Sequence, residues 1–412
     1  MVRVLVVDDS TFMRSAIVAL LEKDPEITVC GTAKDGQDCL AKVAQLQPDI
    51  ITLDVEMPRM DGLATLKELM RTSPLPVLMV SSLTAEGAET TLKALEYGAL
   101  DFIAKVSGAD QEDFGVELRH KVKSIARRKA FLRLRYTRTN LEAGRSTSPS
   151  SAATSSSSSF GSARPSSLSS GLSKTSGTSS LSGSTSLASR QSATARPSLR
   201  SATPAAGASA PAAGGIIRPC TGAHDIVVIG VSTGGPPVVQ KILSALPANF
   251  PACILVAQHM PATFTGPFAK RLDSVCQISV TEAANGDKIQ NGHAYVCPGG
   301  KHIGIQMRGP LPEVLVTTEP TSALYKPSVN VLMETAGNGL GRRVLGVMLT
   351  GMGSDGCEGA KVLKQRGGYL IAQNEASCVV YGMPKAVVDA GLADQILDVD
   401  DIAKAIMACV KG

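Results

Sequence analysis

The segment Asp225-Ile-Val-Val-Ile-Gly-Val-Ser-Thr-Gly-Gly-Pro-Pro237 decides how the second half of the chain folds. Its apolar start predicts a buried strand, and its two prolines suit the first turn of a helix. Apolar residues then recur at helical spacing, at Val239, Ile242, Leu243 and Leu246. Ser232 therefore falls on a sharp strand-to-helix turn, where its hydroxyl would face a substrate and the Thr233 amide could stabilise an oxyanion. The spacing fits Gly-x-Ser-x-Gly, but a phosphate-binding glycine turn or a plain tight loop fits it as well.

Size, charge and cysteine content favour a two-domain protein of a reducing compartment. The 412 residues are enough for two cores, and the formal charge of +5 does not require nucleic acid. Nine cysteines occur without a Cys-x-x-Cys pair, as expected of scattered small apolar residues. The chain starts directly with a strand rather than a signal peptide, and no apolar run is long enough to cross a bilayer. We expect a cytoplasmic monomer without membrane insertion and without a nucleic-acid partner.

The first hundred residues alternate strands with helices. Strands are predicted at residues 2–7, 27–31, 49–53, 76–80 and 101–104. Ser10 could cap the first helix, and residues 35–47 predict a second. Alternation of this kind predicts an α/β fold with a doubly wound parallel sheet, which binds ligands at the carboxyl ends of its strands.

Polar residues stand at those strand ends. Asp8 and Asp9 follow the first strand, Asp54 the third, Ser81 the fourth and Lys105 the fifth. Gathered carboxylates repel one another, and a hard cation such as Mg²⁺ would relieve the repulsion. The cation and the Lys105 ammonium could then collect phosphate oxygens around a carboxylate nucleophile, with a further bond from Ser81. The alternative is a set of acids and a lysine on ordinary polar loop ends.

The same residues resemble a response-regulator receiver domain. The resemblance covers about the first quarter of the chain, in Leu5-Val-Val-Asp-Asp9, Leu53-Asp54, Met57-Pro58 through Asp61-Gly62, Val77-Leu-Met-Val-Ser81 and Phe102 through Lys105. It implies a flavodoxin-like fold in which a histidine kinase phosphorylates Asp54, with Mg²⁺ held by Asp8, Asp9 and Asp54. It also implies that Ser81, Phe102 and Lys105 form the phosphate switch. Receivers usually have proline after the lysine, whereas Val106 follows Lys105 here.

Two segments of biased composition follow. Residues 117–138 are rich in Lys and Arg, which favours a last receiver helix that continues into solvent with a solvated basic face; nucleic acid or an acidic membrane is the alternative. From residue 146 to about 219 the chain is mostly Ser, Ala, Thr, Gly and Pro, a composition that predicts disorder. A flexible linker of this size spans about 50 Å root-mean-square.

A second α/β block begins near His224 and places two more polar residues at strand ends. His259 follows an apolar run at 252–258, and Asp355 lies in a glycine-rich loop after the run at 344–349. Ser232, His259 and Asp355 could therefore converge as nucleophile, general base and orienting acid. His120, His224, His293 and His302 lack such a setting. The order Ser-His-Asp differs from that of α/β-hydrolases.

These residues resemble the chemotaxis protein-glutamate methylesterase family of the CheB type. The resemblance lies in Gly230 to Pro236, Gln258-His-Met-Pro261, Lys326-Pro-Ser-Val329, Leu349 to Gly356 and Gln373 to Pro384. It implies that Ser232, His259 and Asp355 are the triad and that the amides of Thr233 and Met352 form the oxyanion region. The implied substrates are methylated glutamates on cytoplasmic helices of chemoreceptors, which yield glutamate and methanol. Deamidation of receptor glutamines is also implied, and no cofactor for the esterase.

Together these observations predict three regions. They are a receiver domain at 1–122, a basic helix with a Ser/Ala/Thr-rich disordered linker at 123–222, and an α/β parallel-sheet methylesterase domain at 223–412. Our hypothesis is that the unphosphorylated receiver covers the Ser232 cleft and that a chemotaxis histidine kinase relieves this through Asp54. A phosphorylation-controlled binding module without catalysis is the competing class. A nucleic-acid-binding regulator is the third and rests only on the basic segment.

The linker predicts weak repression, since it is longer than the connector usual in the resembled family. A longer tether lowers the effective concentration of the receiver at the cleft, by roughly the −3/2 power of length. Phosphodonor with Mg²⁺ should therefore activate the full-length chain less than a linker-shortened variant, measured as the ratio of esterase rates. Equal or greater activation of the full-length chain would contradict this.

Overall fold

The structure, a computed structural model, describes residues 1–105, 111–129, 219–220 and 224–410. Val106, the end of the basic segment and nearly all of the serine-rich segment lie outside these residues. The N-terminal domain contains five strands, β1 (Val2–Val7), β2 (Ile27–Ala33), β3 (Ile50–Asp54), β4 (Val77–Ser81) and β5 (Asp101–Ala104). Its helices are α1 (Thr11–Leu21), α2 (Gly36–Leu46), α3 (Gly62–Thr72), α4 (Ala85–Glu96) and α5 (Gln111–Ala126).

The five strands form one parallel sheet in the order β2-β1-β3-β4-β5. Polar side chains begin the helices that follow the first four strands, because each accepts a hydrogen bond from a first-turn amide. These caps are Ser10, Asp35, Asp61 and Thr84. β3 and β4 are buried along their whole length, as expected for central strands covered on both faces. The doubly wound α/β prediction for this domain is therefore confirmed.

The C-terminal domain has nine strands and six α-helices among the described residues. The strands are β6 (Ile226–Val231), β7 (Cys253–Gln258), β8 (Ser279–Glu282), β9 (His293–Val296), β10 (His302–Arg308), β11 (Leu311–Thr317), β12 (Val344–Met348), β13 (Tyr369–Gln373) and β14 (Gln395–Leu397). The helices are α6 (Gly235–Ser244), α7 (Ala262–Val275), α8 (Val329–Leu340), α9 (Cys357–Gln365), α10 (Met383–Asp389) and α11 (Val399–Val410). None of the helices in the described ranges combines the length and apolar character that a bilayer crossing needs.

Seven of these strands form a parallel sheet in the order β14-β13-β12-β6-β7-β9-β8. β10 and β11 form a separate antiparallel hairpin. The chain proceeds outward from β6 through β7 on one side and from β12 through β13 on the other, so the strand order reverses between β6 and β12. A crevice at the carboxyl ends of strands at such a reversal is where open α/β sheets bind ligands.

The described part of the basic segment does not extend into solvent, which corrects the expectation of a solvated basic face. Lys121 reaches Asp101 at 2.6 Å, Lys123 reaches Asp24 at 2.6 Å, and Lys129 reaches Asp49 at 2.7 Å. Further pairs join Arg119 to Glu112 at 3.7 Å and Lys123 to Glu26 at 3.0 Å. These ion pairs stabilise the packing of α5 against its own domain.

The cysteines also differ from expectation. Cys220 and Cys409 form a disulfide, although the sequence suggested only scattered free thiols. The two cysteines are 189 positions apart, so no motif of closely spaced cysteines could have predicted the pair. The backbone amide of His224 bonds the carbonyl of Cys409 beside it at 3.2 Å. The start of the C-terminal domain is thus fastened to α11.

The two domains contact each other through both apolar and polar groups. The rings of Phe102 on β5 and Phe264 on α7 stack with centroids 4.4 Å apart. Arg128, just past α5, donates hydrogen bonds to the carbonyls of Glu375, Ala376 and Val379 at 2.8, 3.2 and 3.2 Å. Glu96 of α4 also pairs with Arg271 of α7.

Lys121→Met should destabilise the N-terminal domain by roughly 3–5 kcal/mol, because it leaves the buried Asp101 carboxylate without its cation. Burial already raises the pKa of Asp101 despite Lys121, so the unpaired carboxyl would be costly to ionise. Urea unfolding of the domain measures the loss.

The double variant Asp101→Asn with Lys121→Met removes both charges and serves as the control. It should recover much of the lost stability. A single variant as stable as the parent chain would show that the pair is not important for stability.

Candidate functional site

The structure brings the three side chains of the predicted triad together at the sheet edge. Ser232 follows β6, His259 follows β7, and Asp355 lies in the loop after β12. The Ser232 Oγ is 3.0 Å from His259 Nδ1, and His259 Nε2 is 2.9 Å from Asp355 Oδ2. Three residues separated by 27 and 96 positions along the chain thus form one continuous hydrogen-bonded row.

The turn that carries Ser232 is fixed by backbone and side-chain bonds. Its amide donates to the Thr350 carbonyl at 3.0 Å, and its carbonyl accepts from the Gly235 amide at 2.9 Å. Gly234 has φ of +73°, a conformation that glycine adopts without strain. The side-chain amide of Gln258 donates through Nε2 to the carbonyls of both Ser232 and His259, at 2.9 and 3.2 Å. Gln258 therefore joins the Ser232 turn to the neighbouring His259.

Asp355 is a buried carboxylate held at the start of α8. Its Oδ1 accepts from the Ser328 hydroxyl at 2.9 Å and the Asn330 amide at 3.2 Å, and its Oδ2 from the Val329 amide at 2.6 Å. Burial alone would raise the pKa of Asp355, but the bonds from His259 and from these amides outweigh it and lower the pKa below its usual value. Asp355 is therefore an ionised acceptor at neutral pH.

An ionised Asp355 fixes the tautomer of His259. A carboxylate only accepts, so Nε2 must carry the proton, and Nδ1 is left with the lone pair that faces Ser232. That is the arrangement a general base needs before it takes a hydroxyl proton. Chemically, the row can activate the Ser232 oxygen as a nucleophile.

Thr233 and Met352 lie on two segments that flank Ser232. Thr233 is the next residue in the turn, and its carbonyl accepts from the Thr350 hydroxyl at 3.0 Å. Gly351, beside Met352, lies so close that an added Cβ would be 2.8 Å from the Ser232 Cβ. The loop that carries Met352 is therefore in contact with Ser232.

Several residues of this site were not identified from the sequence. Tyr325 stacks on the His259 ring with centroids 4.4 Å apart and planes 13° from parallel. Ser328 binds Asp355, and its own amide donates to the buried His302 at 3.1 Å. The glutamine before His259 and the serine of Lys-Pro-Ser-Val were signals in the motifs, but Tyr325 lies outside every motif.

A second polar cluster occupies the carboxyl edge of the N-terminal sheet. Carboxylate oxygens of Asp8, Asp9 and Asp54 lie within 4.8 Å of one another. The Lys105 ammonium is 2.9 Å from Asp8 Oδ2 and 2.8 Å from Asp54 Oδ1. Burial, with a contribution from Asp8, raises the pKa of Asp54 to about 6 even though Lys105 opposes the shift. A divalent cation would relieve this repulsion, so the donor set fits Mg²⁺.

Ser81 and Phe102 stand on the neighbouring strands β4 and β5, and their side chains contact other groups. The Ser81 hydroxyl accepts from Thr91 Oγ1 at 2.7 Å and is 3.3 Å from the Gly87 carbonyl, both on α4. The Phe102 ring contacts Phe264 of the other domain. The structure thus joins Asp8, Asp54 and Lys105 directly and leaves Ser81 bonded to α4.

Comparison with known proteins matches both halves of the chain. The response regulator receiver domain family model matches residues 4–112, and the CheB methylesterase model matches residues 227–406. The solved catalytic domain of Thermotoga maritima CheB methylesterase is 38% identical, with 45% of this chain and 97% of that chain covered and a TM-score of 0.44. The solved response regulator domain of Thermotoga maritima CheB is 42% identical over 31% of this chain and 97% of that chain, with a TM-score of 0.29.

Two relatives are similar to this chain over its full length. A protein-glutamate methylesterase/protein-glutamine glutaminase of Nitratidesulfovibrio vulgaris is 56% identical, with 99% of both chains covered. One of Lawsonia intracellularis is 48% identical, with 100% of this chain and 99% of the relative covered. These relatives have about the same length, so the expectation that the long linker sets this chain apart is wrong for them. The chain belongs to the CheB methylesterase family of protein-glutamate methylesterases/protein-glutamine glutaminases and carries that family's receiver domain.

Proposed function

We propose that this protein is a phosphorylation-activated enzyme that hydrolyses glutamate methyl esters on cytoplasmic helices of chemoreceptors. The observation that carries the proposal is the row Ser232–His259–Asp355, with contacts of 3.0 and 2.9 Å, in a member of this family. The relatives' names also motivate a second reaction, deamidation of receptor glutamines. Both reactions are acyl transfers that differ only in the leaving group.

Ser232 is the proposed nucleophile. Its oxygen attacks the ester carbonyl while His259 Nδ1 takes the hydroxyl proton, and Asp355 stabilises the imidazolium that forms. The carbonyl oxygen becomes an oxyanion between the Thr233 and Met352 amides, the two donors we assign to it. When the carbonyl re-forms, the C–O bond to the methoxy group breaks and His259 gives its proton to methanol.

Water completes the reaction. His259 removes a proton from a water molecule that attacks the acyl carbon, and the Ser232 oxygen leaves with that proton restored. The products are glutamate and free enzyme. With glutamine the same steps release ammonia in place of methanol.

The receiver is proposed to control this site through Asp54. Asp54 is the phosphoryl acceptor from a histidine kinase, and Lys105 neutralises charge beside it at 2.8 Å. Asp8, Asp9 and Asp54 would hold Mg²⁺, which supplies positive charge to the phosphoryl oxygens. Burial raises the pKa of Asp54, and a bound cation would favour its ionised, nucleophilic form.

Contacts between the domains support repression by the receiver. Leu92 and Leu95 of α4 share a cavity of about 600 Å³ with Gly234 and Pro236 of the nucleophile turn. The switch residue Phe102 is itself part of the contact, through its stack on Phe264. A phosphate-driven movement of Phe102 would therefore weaken the contact directly.

The Arg128 guanidinium adds hydrogen bonds to the contact between the two domains. It donates to three carbonyls of the 375–379 loop. The carbonyl of the next residue, Val380, accepts a hydrogen bond from the Gly351 amide at 3.0 Å. Burial lowers the pKa of Arg128, as expected of a cation taken out of water. Arg128 thus holds a loop whose next residue bonds Gly351, and Gly351 lies against Ser232.

Ser232→Ala should lower methanol release from methylated receptor membranes by at least about 10⁴-fold, because the nucleophile is lost. The assay compares both proteins with and without phosphorylation at Asp54. Retained binding of receptor membranes shows that the variant is folded. Methanol release that persists in the variant would favour the binding-module class with a contaminating esterase.

Arg128→Ala should raise the activity of the unphosphorylated protein about fivefold, the effect of roughly 1 kcal/mol on a two-state equilibrium. Phosphorylated protein should change little, since its domain contact is already weakened. Arg127→Ala is the matched control, because Arg127 is the exposed neighbour on the same turn. Equal activation by both variants, or none by Arg128→Ala, would contradict the repressive contact.

A further inference from the structure

Tyr325 contacts the proposed general base without a hydrogen bond to it. Its ring lies over one face of His259 at 4.4 Å between centroids, with 13° between the planes. The two atoms that hydrogen-bond the His259 imidazole occupy opposite edges of the ring, Ser232 Oγ at Nδ1 and Asp355 Oδ2 at Nε2. Tyr325 therefore contacts a face of the imidazole, whereas Ser232 and Asp355 contact its edges.

Two hydrogen bonds at opposite edges do not fix a ring completely. They define an axis through the imidazole, and rotation about that axis bends each bond only gradually out of line. Such a rotation turns the Nδ1 lone pair away from the Ser232 proton. A flat aromatic surface against one face opposes the rotation, because a tilted ring would collide with it.

Charge adds a second effect. When His259 takes the Ser232 proton it becomes a cation directly over the face of an aromatic ring, within the range where such pairs attract. The attraction exists only after proton transfer, so it favours the transition state over the resting enzyme. Burial, followed by the nearby Asp355 and Glu117 charges, raises the pKa of Tyr325, which keeps the phenol neutral.

We propose that Tyr325 is a positioning residue of the esterase, which holds the plane of the His259 imidazole and stabilises its protonated form. The inference rests on the proposed Ser232–His259–Asp355 hydrolysis. It requires the aromatic ring and not the hydroxyl. Phenylalanine should therefore replace tyrosine, whereas an aliphatic side chain of similar size should not.

The Tyr325→Leu variant tests this in the full-length protein. Methanol release from methylated receptor membranes should fall about tenfold in kcat, the size expected from one cation–aromatic contact, with KM unchanged within about twofold. Labelling of Ser232 by phenylmethylsulfonyl fluoride, in which the serine oxygen displaces fluoride, should slow by a similar factor. Tyr325→Phe should retain both rates within about twofold.

The chain offers a matched control. His293 and Tyr295 form a second stack, with centroids 4.3 Å apart, outside the row of Ser232, His259 and Asp355. His293→Leu removes that stack and should leave kcat and labelling unchanged.

Three results would overturn the role of Tyr325. They are labelling of Tyr325→Leu at the parental rate, an equal loss in Tyr325→Phe, or a rise in KM with kcat unchanged, which would make Tyr325 a substrate contact. Failure of the proposed function is distinct, because the parent chain would then release no methanol, or Ser232→Ala would release as much as the parent chain, whatever residue stands at 325.

Discussion

A buried carboxylate constrains the candidate site of the C-terminal domain. Asp355 is removed from water, so its charge must be balanced by donors, and the start of α8 supplies them through Ser328, Val329 and Asn330. These donors leave Oδ2 facing His259 and keep the acid ionised. The tautomer of His259, and with it the lone pair that faces Ser232, therefore depends on the donors at the start of α8.

Both domains use the same construction for different chemistry. Parallel strands bring residues far apart in sequence to one edge, where side chains from neighbouring strands meet. In the N-terminal sheet this edge gathers Asp8, Asp54 and Lys105. In the C-terminal sheet it gathers a hydroxyl, an imidazole and a carboxylate. One edge is suited to a phosphoryl group and the other to an acyl group.

This construction explains what the sequence could predict. Apolar runs located the five N-terminal strands and β6, β7 and β12 to within one or two residues, whereas the other C-terminal strands were given no bounds from the sequence. The polar residue after each run marked the edge, which placed Ser232, His259 and Asp355 near one another. Tyr325 could not be found in this way, because it lies in a loop outside the sheet. Cys220 and Cys409 were missed because only the tertiary fold brings together two positions 189 residues apart. The expectation of a solvated helix was wrong because composition does not show which acidic residues the fold places beside the lysines and arginines of α5.

The stack of Phe102 on Phe264 has a consequence for the order of events in signalling. If phosphate on Asp54 weakens this stack, then linkage requires that whatever separates the rings makes Asp54 easier to phosphorylate, by the same free energy. A receptor helix that enters the cleft and displaces the receiver would be such an agent. The enzyme would then sense its own substrate, and methylated receptors would recruit the signal that demethylates them.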